Sequence, residues 1–430
     1  MPKLELVRTP ANWLPKGGDQ ANMLPMRVTV KPTGTTANIL FSLSYVSSWP
    51  GYCSNAGDAQ TPEPDLKIVD PQPNLLVSTD GRFAVTVAEV SSCAILVKSF
   101  DYGAFGKLFA ETFSIDGQSV VNCAAEIVED DGDVVGYATI PRDEDADKMA
   151  DSWEQANLPT WLTDITELKP SDDDDWAYTS VSGSPAGSNL HKTKGDGLLA
   201  FDEYRGFMWQ IPTSGPQRRA GHQRFKPGMK AVFYDLEANV ANHASVPGHV
   251  LEHKIKDLGY FPVLLASAQH RPDRYVDKNS YSGTPQQRCI RIFLRSDTIY
   301  RPLAQNVDDS GEGHYRNVPR VNGNVRYNDD AVSYYITTGP WSGLGSVDIV
   351  RQAICDNIVT HELGHSLFLD HGGSNGELGE TPHAFSLQAR PNPSPSDRCI
   401  MQYESERHYN APGMPMDFCD TKCRNETKVK

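Results

Sequence analysis

Between residues 25 and 140 the apolar positions come in short runs. MRVTVKP, ANILFSLSYV, RFAVTVAEV and CAILVKSF are rich in β-branched and large apolar residues, and Pro, Gly, Asn and Asp separate them. Runs of this length with this punctuation predict strands joined by turns. From about Lys226 the pattern is mixed. KAVFYDLE, FPVLLAS, CIRIFLRS and RYNDDAVSYYITT predict strands, and HVLEHKIKDLG predicts an amphipathic helix stopped by its Gly. In Val347–His365, the positions Ile349, Ala353, Ile354, Ile358 and Val359 recur at helical spacing.

These patterns divide the chain into three units. Residues 1–140 are expected to form an all-β sandwich of the immunoglobulin-like kind, because several short strands fall within just over 100 residues. Its expected role is that of a spacer or scaffold, the alternative being a binding or delivery module. Residues 141–225 form an acidic connector, and residues 226–430 an α+β domain. The length, 430 residues, fits two to four domains, and 34 Gly with 30 Pro fit loop-rich β structure better than a helical bundle. Forty Lys and Arg against 55 Asp and Glu give a net charge of −15. That argues against a nucleic-acid partner or an anionic membrane surface, both of which need basic patches. No apolar stretch approaches the ~20 residues of a membrane span; Ala37–Val46 and Leu258–Ala266 are too short. The segment MPKLELVRTPANWLPKGG has no cationic start followed by an apolar core, so it is no standard signal peptide. An extracellular protein or a delivered effector is expected rather than a resident of the cytoplasm.

The chemistry concentrates in His361-Glu-Leu-Gly-His365-Ser-Leu-Phe-Leu-Asp-His371. On a helix His361 and His365 lie one turn apart on one face, so both imidazoles reach one ion. Glu362 stands beside the first ligand, placed for a water rather than for the metal. A catalytic zinc takes three protein ligands and keeps a fourth position open. His371, six residues past His365 and just before Gly372-Gly373, is a candidate for the third. Cys399-Ile-Met401-Gln-Tyr403 follows.

These residues resemble a metzincin metallopeptidase, whose pattern is HExxHxxGxxH followed by a Met-turn. His361, Glu362, His365, His371 and Met401 match it residue by residue, and Tyr403 matches the tyrosine two places after the Met in some members. The resemblance covers roughly residues 226–425. It implies a zinc-dependent endopeptidase acting on a protein or peptide substrate. Glu362 is then the general base toward water and the proton donor to the leaving amine, Met401 an apolar floor beneath the metal, and Tyr403 a hydrogen-bond donor to the oxyanion. It also implies a substrate lying extended along an edge strand of the upper sheet. Phe368 departs from the pattern where the family has Gly, which leaves Asp370, His383 and the more distal Glu377 as alternatives for the third ligand. Cys399 with Cys419 and Cys423 is similar in part to the archaemetzincin arrangement, which implies a second, structural zinc. The alternatives are a disulfide of Cys399 with Cys419 or Cys423, or buried thiols.

The connector carries a second pattern. Asp143, Asp145, Asp147, Asp151 and Glu154 occupy positions 1, 3, 5, 9 and 12 of a twelve-residue segment, the ligand spacing of an EF-hand loop. Lys148 stands where such loops place a turn-making Gly. Gly195-Asp196-Gly197 to Tyr204 looks like the last two-thirds of a second loop, with Lys192 and Lys194 in its first two ligand positions. Together the pair resembles the calcium-binding repeats found between domains of bacterial secreted and surface proteins, and the resemblance implies a calcium ion that stiffens the joint between the β domain and the catalytic domain. The competing reading is an acidic linker followed by an N-capped helix around Ser152–Ala156. For the whole chain the competing function is a non-catalytic adhesion or scaffold protein with a structural or decayed zinc site. Glu362 favours the enzyme, since a structural site has no use for that carboxylate.

Overall fold

A computed structural model describes residues 3–293, apart from short stretches of which 57–63, 181–189 and 237–251 are the longest, together with 311–313 and 320–323. Residues 324–430 lie outside the described residues, and with them the strand expected in RYNDDAVSYYITT and the helix expected over Val347–His365. Most of HVLEHKIKDLG lies outside them as well.

Twelve strands precede residue 141. They are β1 (Lys3–Arg8), β2 (Met23–Lys31), β3 (Asn38–Ser44), β4 (Leu66–Val69), β5 (Leu75–Val77), β6 (Phe83–Thr86), β7 (Ser92–Ser99), β8 (Gly106–Asp116), β9 (Ser119–Ala124), β10 (Ile127–Val128), β11 (Val134–Val135) and β12 (Ala138–Ile140). One sheet has the order β11-β10-β1-β2-β7-β4; the other has β12-β8-β3-β6-β5, with β9 on β8. Among these pairs β1 with β10 is parallel and the rest are antiparallel. The alternation read from the sequence is what joins the sheets. Leu24, Met26 and Val28 on β2, with Ile39, Phe41 and Leu43 on β3, are at most 2% exposed and share one core, while their chain neighbours point outward. Each such side chain contributes about 1.5–3 kcal/mol by leaving water. A one-residue slip would turn the whole set outward, so burial fixes the register. The N-terminal unit is therefore a β domain, and the four apolar runs before residue 100 are β2, β3, β6 and β7 with their flanks.

The chain continues through α1 (Asp151–Asn157), the pair β13 (Tyr178–Ser180) and β14 (Leu190–Lys192), and α2 (Ala200–Arg205). Gly206 ends α2 at φ +74°, where a Cβ would stand 2.4 Å from the Gln223 carbonyl oxygen, so only glycine fits this turn. A hairpin follows, β15 (Phe207–Pro212) and β16 (Arg218–Gln223), and then β17 (Ala231–Leu236), β18 (Phe261–Leu265), β19 (Ile290–Phe293), β20 (Gly311–Gly313) and β21 (Arg320–Gly323). These last five form one sheet in the order β18-β17-β19-β21-β20. β17 runs parallel to β18 and β19, and β19 parallel to β21; β20 alone is antiparallel. KAVFYDLE, FPVLLAS and CIRIFLRS are thus β17, β18 and β19, and their parallel pairing requires long crossovers between them. The hairpin packs on this sheet through Phe207 and Trp209, joined by Phe225 just after it, with Phe207 5.3 Å from Phe225 and 5.1 Å from Phe233 between ring centroids. Among the described residues no helix is long and apolar enough to cross a membrane.

Candidate metal centre at the domain junction

The acidic segment Asp143–Glu154 leaves the β domain three residues after β12 and ends inside α1. Its first carboxylate organises the turn: Asp143 Oδ1 accepts from the Asp147 amide at 3.2 Å and Oδ2 from the Lys148 amide at 2.8 Å. Asp147 Oδ1 accepts from the Met149 amide at 2.8 Å, and Asp151 Oδ1 from the Glu144 amide at 2.9 Å. The backbone reverses through two residues in the left-handed region, Ala146 at φ +63° and Lys148 at φ +82°. Lys148 therefore takes the conformation that a glycine would take at this place, held there by the Asp143 carboxylate. α1 is N-capped by Ala150 without a side-chain bond, so the capping expected near Ser152 is absent.

Ligand atoms of Asp143, Asp145 and Asp147 lie within 4.8 Å of each other. Six buried carboxylate oxygens accept no hydrogen bond: both of Asp145, both of Glu154, Oδ2 of Asp147 and Oδ2 of Asp151. Glu154 is 0% exposed. Two cations stand at the edge, Lys169 3.6 Å from Asp145 Oδ2 and Arg142 3.6 Å from Asp151 Oδ2. Burial, then the charges of Asp147, Asp145, Asp151 and Asp143, push Glu154 up to about 9. Burial is also the main cause that pushes Asp143 up to about 7 and Asp147 up to about 6, and it raises Asp151. A cluster of this kind is costly without a counter-ion, since buried charges need partners. All its free donors are carboxylate oxygens, a donor set that a divalent cation accepts. At the second half-loop, Asp202 and Glu203 are buried in α2, and Asp202 accepts from the Ser280 hydroxyl at 2.9 Å and the Tyr281 amide at 3.0 Å.

The loop sits where the β domain meets the rest of the chain. Arg205, at the end of α2, is 0% exposed. Its Nε donates to both carboxylate oxygens of Asp101 at 3.0 and 3.1 Å, and its Nη2 to Asp101 Oδ2 at 2.5 Å and to the Pro50 carbonyl at 2.6 Å. Its Nη1 donates to the Asn279 carbonyl at 3.0 Å. Asn55 bridges both ways, donating to Met208 and Gln269 carbonyls at 2.9 and 3.1 Å and accepting from the Met208 amide at 2.7 Å. Arg224 reaches back to the Pro15 and Tyr102 carbonyls at 2.8 and 2.7 Å.

His222 completes this surface. Its Nε2 donates to the Arg205 carbonyl at 2.8 Å, and its ring stacks on Tyr102 with centroids 3.3 Å apart. Burial, aided by the Arg224 and Arg205 charges and opposed by that hydrogen bond, pulls it down to about 3. The unfolded chain takes up this proton below pH ~6.5 and the folded chain does not until about 3, so the stability of neutral His222 is complete above 6.5 and declines as pH falls. Between pH 6.5 and 5 the decline is at most about 2 kcal/mol. The buried carboxylates act in the opposite direction, so the comparison that isolates His222 is with His222→Gln, which keeps the donor. The variant is expected to lose less of its melting temperature than wild type between pH 7 and 5; parallel curves would refute the assignment.

The zinc-motif residues His361, Glu362, His365, His371, Met401 and Tyr403 lie outside the described residues, as do Cys399, Cys419 and Cys423 and the alternative ligands Asp370, Glu377 and His383. No protein-family model and no curated protein matches the sequence. Among solved structures, the chain is similar to the reeler domain of human F-spondin at 6% identity, covering 33% of this chain and 88% of that one, with a TM-score of 0.21. It is also similar to the second type II cohesin module of the ScaA scaffoldin of Acetivibrio cellulolyticus at 5% identity, covering 30% and 92%, with a TM-score of 0.17. Likenesses this slight carry no weight in the reading that follows.

Proposed function

We propose that the chain is a zinc-dependent endopeptidase whose catalytic residues lie in 361–403 and whose N-terminal β domain is joined to the catalytic part through a calcium-binding connector. The observation that carries the enzymatic reading is the sequence constellation His361, Glu362, His365 and His371, followed by Met401 and Tyr403. His361, His365 and His371 would hold a zinc ion, which when bound would supply a water of pKa lowered to ~7 and polarise a scissile carbonyl. Glu362 accepts the proton of the attacking water and delivers it to the leaving amine. Tyr403 donates a hydrogen bond to the oxyanion. Among the described residues β20 lies at an edge of the mixed sheet, where an extended peptide would add by main-chain hydrogen bonds. The test is metal analysis of the purified chain beside its casein-cleaving activity. One zinc in wild type and less than half of it in His371→Ala is expected. A His371→Ala protein that keeps its zinc assigns the third ligand elsewhere, and a zinc-free, inactive wild type leaves the adhesion or scaffold reading in place.

Calcium at Asp143, Asp145, Asp147, Asp151 and Glu154 is supported by the fully buried Glu154 carboxylate, whose two oxygens accept no hydrogen bond and which feels the charges of the other four. The β domain is read as an immunoglobulin-like sandwich. β1, β2, β7 and β4 stand in the order of one immunoglobulin sheet and β12, β8 and β3 in that of the other, while the pair β5–β6 following β4 departs from that plan.

A further inference from the structure

The residues that carry the carboxylates also build the apolar centre of the junction. Met149, Ala150 and Trp153, between the third and fifth ligand positions, are at most 3% exposed and pack with Leu168, Ala200, Phe201 and Tyr204. Leu14 and Trp49 from the β domain and Tyr281 from beyond β18 lie against the same cluster. Trp153 meets Tyr204 edge-on at 5.2 Å, and Trp49, Phe201 and Tyr281 face one another at 4.9–5.8 Å. Lys148 ties the two systems together. Its amide is bound by Asp143, and its ammonium lies 5.7 Å from the Trp49 ring and 5.9 Å from the Tyr281 ring, one from each side of the junction.

The geometry creates a conflict that a cation resolves. Carboxylate oxygens of Asp143, Asp145 and Asp147 lie within 4.8 Å of one another and repel, the unbonded oxygens of Asp151 and Glu154 are buried on the same loop, and Lys169 and Arg142 stand 3.6 Å from Asp145 and Asp151. Relief by opening the loop would withdraw Met149, Ala150 and Trp153 from the junction, because they lie on the same short segment. We infer that a divalent cation held by Asp143, Asp145, Asp147, Asp151 and Glu154 acts as a clamp, tightening the β domain against the 198–281 segment when bound and releasing it when removed. This rests on the calcium reading above. Lys148, standing in the turn position, is the tie that transmits the loop's order to Trp49 and Tyr281.

The test uses the full chain, stripped of calcium on a chelating resin with zinc kept constant. Calorimetric titration with calcium chloride is run beside amide hydrogen exchange read by mass spectrometry, with and without calcium. Binding heat together with at least tenfold slower exchange over 49–56, 149–153, 199–205 and 279–281 is expected. Binding heat with unchanged exchange in those segments overturns the clamp and leaves the calcium reading intact. No binding heat overturns both. Glu154→Gln and Asp145→Asn, which keep side-chain size, are each expected to weaken binding at least tenfold and to abolish the calcium-dependent protection. Lys148→Gly is expected to keep binding within a few-fold and to keep protection at 149–153, while losing most of it at 49–56 and 279–281. Full protection at all of these segments in Lys148→Gly would remove Lys148 from the role.

Discussion

Replacing Arg205 with leucine is expected to lower the stability of the junction by about 3–5 kcal/mol, the cost of stranding a buried charge. Arg205 and Asp101 are both 0% exposed, and the guanidinium makes three of its contacts to the Asp101 carboxylate. Leucine leaves that carboxylate in an apolar setting with the Gly103 amide, which it accepts at 2.6 Å, as its remaining hydrogen bond shown here. It also strands the Pro50 and Asn279 carbonyls, one on each side of the junction. Asp65 adds to the effect: burial and the Asp101 charge already push it up to about 7, and Arg205 is among the groups that lower it. Urea unfolding followed by tryptophan fluorescence and by limited proteolysis of the 141–172 segment checks the prediction. Arg205→Leu should open the junction at lower urea than the β domain unfolds, and Asp101→Asn combined with Arg205→Leu should recover part of the loss. An Arg205→Leu protein with an unchanged profile would show that the pair contributes nothing net.

The other large effect is at Glu362. Glu362→Ala is expected to reduce casein cleavage by about 10²–10⁴-fold, the range of a lost general acid–base group, while the zinc content stays at the wild-type value. The two readouts separate the role from a ligand's, since loss of a ligand removes metal and activity together. A Glu362→Ala protein that cleaves casein at the wild-type rate ends the peptidase proposal as written.

The parts of the structure that the sequence discloses are the local ones. β2 and β3 are visible because inward and outward residues alternate, β17 and β18 as mostly apolar runs whose successive side chains are buried, and β19 as a short β-branched run. The acidic loop is visible because all five carboxylates fall within twelve consecutive residues. Lys148 is the instructive case. Its side chain argues against the turn, yet the turn forms, because the Asp143 carboxylate supplies hydrogen bonds that offset the cost of a positive φ. The junction was not legible at all. Asp101 and Arg205 are 104 positions apart, Asn55 and Gln269 are 214 apart, and nothing near either member marks it as half of a pair. The zinc motif is the converse, plain in the chain from His361 to Tyr403 and beyond the described residues.

The separation of Asp101 from Arg205 also sets an order of events on the ribosome. At roughly 5–20 residues per second, Arg205 follows Asp101 by about 5–20 s. The β domain, whose core lies entirely within residues 4–140, closes in that interval, before Asp101 meets Arg205 and before Asn55 meets Met208 and Gln269. Asn279 arrives later still, so the junction closes after the β domain is complete, and a chain arrested before residue 279 presents a finished β domain with an open, acidic seam.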